Sequence, residues 1–170
     1  MKKLIALFAA IILVSGFTTI SAQVTGTATG SATVITPIAI VNAGNMNFGN
    51  IAVSPTLPGT VLLTAGGVRS ATGGVTLPAV AGTISVASFT VSGLASSTYS
   101  ITLPTTDYPI TFSTGTMIVN GFTSTPTTTG ALSVGGSQTI TVGATLNVGA
   151  AQLAGLYTNA AGFIVKVNYN

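Results

Sequence analysis

The sequence has no cysteine, no histidine, no tryptophan and no glutamate, and Asp107 is its one acidic residue. Each absence removes a class of chemistry. Without histidine, a hydrolytic triad has no base. A single aspartate cannot supply the carboxylate pair of the usual glycosidase mechanism. Structural zinc would lack its Cys and His ligands, and calcium its several carboxylates. A Ser–Lys pair would have to use Lys166, which reads more simply as an edge-strand charge that discourages mispairing. The glycine pairs at 66–67 and 73–74 form no phosphate loop, because no Lys and no helix follow in register. The expectation is a protein that is not an enzyme, with no catalytic residue, cofactor or metal.

Charge is equally scarce. Charged residues are 3% of the chain, and the formal net charge is +3. Lys2 and Lys3 stand at the extreme N-terminus, leaving Arg69 and Lys166 against Asp107. Such a set makes no basic stripe, so no nucleic-acid partner is expected. Arg69, between the two glycine pairs, reads as a solvated loop residue. At 170 residues the chain can bury a full core without staples, and it is short for two domains.

Residues 1–22, MKKLIALFAAIILVSGFTTISA, have the three-part layout of a secretory signal peptide. Two lysines precede an apolar run from Leu4 to Val14, and Ser21-Ala22 supply the small residues of a cleavage site. The run is shorter than the roughly 20 residues that a membrane-spanning helix needs. The expected protein is therefore exported through the periplasm and secreted to the cell surface, with no transmembrane segment after cleavage. Export permits disulfides, yet none can form, so the core and the backbone ladders must hold the fold.

What is abundant is Thr, Ser and Gly: residues 23–170 hold 28 Thr, 13 Ser and 20 Gly. Thr and Val suit pleated, half-buried surfaces, and the helix formers Glu and Lys are nearly missing. No stretch has a helical stripe bounded by caps; Gly149–Leu156 comes nearest and is too short to count as a helix. A Thr/Ser-rich stalk would not require the strand-length alternation seen here, so the expected class is an all-β sandwich. Candidate strands are 24–41, 46–53, 59–64, 84–92, 98–103, 108–113, 115–122, 131–134, 137–148 and 161–169, with Gly, Pro and Asn breakers between most of them. No repeat at a fixed period points to a solenoid or to a ranked Thr surface. The Asn-rich loop 42–50 reads as turn chemistry rather than as a ligand set.

Two segments alternate cleanly. Val24, Gly26, Ala28, Gly30, Ala32 and Val34 share one face of an extended strand, and Thr25, Thr27, Thr29, Ser31 and Thr33 the other. Gly and Ala bury little, so such a strand gains little by folding onto its own domain. It suits addition to another sheet, or else the edge of its own. From Ile35 onward apolar residues fall on both faces, as in a strand buried within a sandwich, with Pro37 marking a bulge or edge. At the other end, Phe163, Val165, Val167 and Tyr169 face one way and Ile164, Lys166, Asn168 and Asn170 the other. An outer-membrane barrel would need aromatic girdles, which four Tyr and no Trp do not supply.

Four stretches carry a family likeness: ATVITPIAI (32–40), MNFGNI (46–51), FTVSGLASSTYSITLP (89–104) and AGLYTNAAGFIVKVNY (154–169). In their order and spacing the chain resembles bacterial chaperone–usher pilins, in particular the spore coat protein U and archaic-pilus branch with its uncharacterised secreted relatives. It departs from those relatives that carry a disulfide. The resemblance implies an incomplete immunoglobulin-like sandwich, 35–170, completed by the N-terminal extension, 23–34, of a neighbouring subunit. Residues 24–34 would be the donor strand, and strand 161–169 would border the acceptor groove. Partners would be other copies or related subunits, a periplasmic chaperone that fills the groove before assembly, and an outer-membrane usher. The expected function is that of a structural subunit in a fimbria-like surface fibre. The alternative is a self-complete, adhesin-like surface sandwich that binds a polysaccharide or a protein, with 24–34 docked on its own sheet.

Overall fold

The computed structural model describes residues 22–170. The expected leader lies outside them, apart from Ala22. Ile35–Asn170 form one compact unit, and residues 22–34 belong to the unit before it. Residues 22–34 take no regular secondary structure, belong to no ladder, and are exposed throughout. The expected continuous strand 24–41 is therefore corrected: pairing begins only at Ala39. The small apolar face of 24–34 offers its own chain too little burial to hold it in a ladder.

The compact unit is all-β, with antiparallel sheets curled as a half-barrel in a sandwich-like fold. Its strands are β1 (Ala39–Gly44), β2 (Asn47–Phe48), β3 (Ala52–Val53), β4 (Gly59–Leu63), β5 (Arg69–Gly73), β6 (Val75–Thr76), β7 (Ile84–Ser85), β8 (Ala87–Ser92), β9 (Thr98–Thr102), β10 (Tyr108–Phe112), β11 (Gly115–Thr125), β12 (Thr129–Ala131), β13 (Ser137–Val148) and β14 (Lys166–Tyr169). The large sheet runs β1-β8-β13-β11-β10, with β4 and β5 attached through β13. A second sheet runs β12-β9-β14, and β2 with β7 and β3 with β6 form two short pairs.

β13 organises the molecule. Ile140, Val142, Ala144, Leu146 and Val148 alternate into the core along its length. One edge pairs with β11. The other pairs first with β8, through Ser137–Val142, and then with β4, through Ala144–Val148. The fork falls at Gly143, where a Cβ would overlap the backbone of Leu63 and Thr64. In β11 the inward face changes parity: Met117 and Val119 are buried, and then Ser124. The ladder slips between Asn120 and Thr123, and Gly121 sits there at φ 60°, so a glycine bulge re-aims the strand.

Two buried clusters result. One gathers Phe48, Val61, Leu63, Met117, Val119 and Leu146, and the other Phe89, Val91, Tyr99, Ile101, Ile140 and Val165. Met46 and Phe122 pack against both.

Several expectations change. β1 is an edge strand that pairs with β8 alone among the described residues, and Val41 is 64% exposed, so 35–41 is not buried on both faces. Pro37 precedes the strand and removes a donor just where pairing has yet to begin. Gly149–Leu156 is turn and coil with no helix, in line with its length. The strand expected at 131–134 is displaced: β12 covers Thr129–Ala131, and Ser133 closes a turn onto Gly136 and Ser137. The ladder at the far end covers 166–169 rather than 161–169, because Gly162 at φ 68° breaks the extended run.

Candidate binding cleft

β1 and β14 lie in different sheets, each at an edge. The ring at the end of β14 ties it to the residues just before β1. The Tyr169 hydroxyl donates to the Thr36 carbonyl at 2.8 Å and accepts the Leu94 N–H at 2.6 Å. A cleft of about 870 Å³ lies between the loop 42–51 and the segment 155–163. Its floor is made of core side chains: Phe48, Ala87, Phe89, Met117, Val119 and Leu146 all line it.

One wall is the Asn-rich loop, and its backbone is pinned. Asn47 Oδ1 accepts the Gly49 N–H at 2.8 Å, an Asx turn. Asn50 donates from its backbone to Ala81 O at 2.7 Å and from Nδ2 to Val80 O at 3.1 Å. Ser85 Oγ donates to Asn45 O at 2.7 Å. Arg69 corrects its expected role as a solvated loop residue. It opens β5, is half-buried, and donates from Nη1 to the carbonyls of Phe48 and of Asn50, the latter at 2.9 Å.

The facing wall is the segment 155–163. Thr158 exchanges backbone hydrogen bonds with Thr111 at 3.0 and 3.1 Å. Asn159 Nδ2 donates to Pro109 O at 2.7 Å, and Tyr108 Oη donates to Asn159 O at 2.7 Å. These bonds also cover the outer edge of β10. Burial pushes the Tyr108 phenol pKa up, partly offset by the Gly162 backbone N–H. Phe163 stands at the cleft's end against three rings, with centroids 4.8 Å from Phe122, 5.8 Å from Tyr108 and 6.3 Å from Phe89.

The residues singled out from the sequence fall as follows. Val165 is buried, Phe163, Val167 and Tyr169 are half-buried on the same side, and Ile164, Lys166, Asn168 and Asn170 are exposed. β14 pairs with β9 alone among the described residues, which leaves its other edge without a ladder. Val24, Gly26, Ala28, Gly30, Ala32 and Val34 lie in the preceding unit, exposed and in no ladder. The pairing of Tyr108 with Asn159 and the anchoring by Arg69 were missed. The one available signal was Arg69 itself, a lone cation in a chain that has almost none.

An all-β, sandwich-like fold with a cleft between its Asn-rich loop and the segment 155–163 is the class defined by this geometry. Residues 38–169 match a family described as a domain of unknown function (DUF4402), and the chain belongs to that family. No curated protein and no solved structure matches it. Among the described residues, no helix is long and apolar enough to cross a membrane.

Proposed function

We propose that the chain is a non-enzymatic structural subunit of a secreted, fimbria-like surface fibre, assembled by strand addition between copies. Residues 24–34 of one copy lie along the free edge of β14 in the next and cover its cleft. The backbone ladder supplies affinity, and the alternate small side chains fill the opening. The observation that carries this reading is a pair of complementary deficits in one chain. The compact unit has a cleft that reaches both of its clusters and, among the described residues, a last strand with one edge in no ladder, and the preceding segment has a one-faced strand pattern with no ladder. The same lack of pairing favours donation to another copy over the self-complete, adhesin-like alternative. Before assembly the open core needs a cover, for which a periplasmic chaperone and an outer-membrane usher are the proposed partners.

The test is deletion of residues 23–33 followed by sizing of the exported protein. The full chain is expected to give a ladder of multimers and the deleted chain monomers. Ladders that survive the deletion unchanged would overturn the proposal.

A further inference from the structure

We infer that Asn120–Gly121 is a self-modification site of this chain, where the Gly121 nitrogen closes on the Asn120 side chain, and that Asp107 restrains the reaction. This does not depend on how the cleft is used.

The reactive pair is set by sequence. A backbone nitrogen attacks the side-chain carbonyl carbon of a preceding asparagine most readily when its own residue has no Cβ in the way. Asn is followed by Gly at 120–121 and nowhere else in the chain. The fold places this pair at the slip in the β11–β13 ladder, between the Asn120–Thr145 and Thr123–Gly143 pairings. Gly121 is exposed at φ 60°, and a Cβ there would meet nothing nearer than Thr145 Oγ1 at 3.4 Å. A bulge leaves its extra residue out of the ladder. The peptide after Asn120 is therefore less restrained by pairing than the rest of β11.

The side-chain amide, in contrast, is held at both ends. Asn120 Nδ2 donates to Asp107 Oδ1 at 2.9 Å, and Asn120 Oδ1 accepts from Asn147 Nδ2 at 2.9 Å. Asn147 Nδ2 also donates to Ile118 O at 3.2 Å, which ties the relay back to β11. Turning the amide carbon onto Gly121 N gives up the alignment that these bonds need. Asp107 is the only acid of the chain. Its carboxylate is thus placed against the one Asn-Gly amide.

The reaction needs only water. The Gly121 nitrogen bonds to Asn120 Cγ, the Cγ–Nδ2 bond breaks, and Nδ2 leaves as ammonia with the proton from Gly121 N. Water then opens the succinimide ring at Cγ, giving aspartate, or at the backbone carbonyl, giving isoaspartate with the chain running through Cβ. Aspartate at 120 sets a second carboxylate against that of Asp107, and like charges so close disfavour each other. Asp107 adjoins Tyr108, whose hydroxyl holds Asn159 in the cleft wall. The change therefore falls beside an anchor of the cleft.

The test follows the full chain in mildly alkaline buffer by peptide-mapping mass spectrometry, which reads the exchange of NH2 for OH at each Asn. In urea, Asn120 is expected to convert ahead of every other Asn. In the folded chain its conversion is expected to be about tenfold slower than in urea. Asp107→Ala should restore most of that rate at Asn120, while Asn42 and Asn168, in other strands, keep theirs. Asp107→Asn keeps a carbonyl acceptor without the charge and should lie between. Asn147→Ser frees the other end of the amide and should act as Asp107→Ala does, so either variant can decide if the other fails to fold. Conversion in urea that does not favour Asn120 would overturn the site. A folded rate that neither Asp107→Ala nor Asn147→Ser changes would overturn the restraint. Equal acceleration at Asn42 and Asn168 would mean general loosening and would refute it as well.

Discussion

Tyr99 carries the largest fully buried side chain among the described residues, and two neighbours fix it. Its hydroxyl donates to Gln138 Oε1 at 2.7 Å, and the same oxygen accepts the Ala131 N–H at 2.9 Å. Gly130 lies against the ring, where a Cβ would overlap ring carbon and hydroxyl. Gly130→Ala is therefore expected to destabilise the fold by about 1–3 kcal/mol through overpacking. Gly26→Ala, with nothing within 4 Å, is expected to change stability by less than about 0.5 kcal/mol. Denaturant midpoints compare the two, and equal midpoints would refute this account of Gly130. Burial also raises the phenol pKa values of Tyr99 and Tyr108. The folded state then favours the neutral phenols. Their stabilising contribution is complete below the unfolded tyrosine pKa of about 10 and is lost as pH rises through the higher folded values. With no histidine to titrate between roughly pH 5 and 8, the unfolding midpoint is expected to stay level there and to fall in the alkaline range. The Tyr99→Phe, Tyr108→Phe variant should show a shallower alkaline fall when its thermal midpoint is followed against pH. A fall as steep as that of the unsubstituted chain would show that these two phenols are not responsible.

At the scale of elements, the cleft is held open by two walls whose bonds run to β5 and β10. Arg69 on β5 serves two carbonyls of the Asn-rich loop. Hydrogen bonds to a charged group contribute about 1.5–3 kcal/mol each, net of exchange with water, and less where the group is partly exposed. Arg69→Met is expected to destabilise the domain by about 1–3 kcal/mol on that scale and to speed amide exchange in residues 47–50. Arg69→Lys should recover only part, since an ammonium lacks the planar fork. Exchange in 47–50 that is unchanged in Arg69→Met would show that the loop does not depend on this side chain. The same element shows what pattern reading can and cannot reach. β9 and β13 were legible because Tyr99, Ile101, Ile140 and Val142 alternate with polar residues between clear breakers, and β4 because Val61–Leu63 form a short apolar run after Pro58-Gly59. β5 was not, because RSATG offers one small apolar residue and sits between glycine pairs that read as loop. The stretch 24–34 has the cleanest alternation of all and no ladder, since alternation supplies a face but not a neighbour to bury it. The face of Phe163, Val165, Val167 and Tyr169 was readable. The cleft between the Asn-rich loop and the segment 155–163 was not, because it depends on how distant loops come together.

For the whole molecule, scarcity of charge becomes an advantage if the surfaces to be covered belong to copies of the same chain. Residues 23–170 carry Arg69, Lys166 and Asp107 as their ionisable Lys, Arg, Asp or Glu side chains, so copies approach with little mutual repulsion. Near-neutral surfaces also favour association over solubility. The cleft reaches side chains of both clusters, so a segment seated in it would bury its own apolar face against the core. Whatever covers that cleft must then stabilise the fold by mass action, as any ligand of the native state does. The sharpest test uses the segment as a free ligand: a synthetic peptide of residues 23–34 added to the chain that begins at Ile35, the start of the compact unit. At a hundredfold excess over its dissociation constant, the peptide is expected to add about 2.7 kcal/mol, read as a rise in the unfolding temperature with peptide concentration. A peptide with Ala28→Asp and Ala32→Asp places charges on the face meant for the cleft and should give no rise. Thr27→Ser and Thr29→Ser, on the opposite face, should leave the rise intact. If both altered peptides behave like the original, binding does not use the 24–34 face. If none of the three raises the unfolding temperature, the cleft is not the seat of this strand.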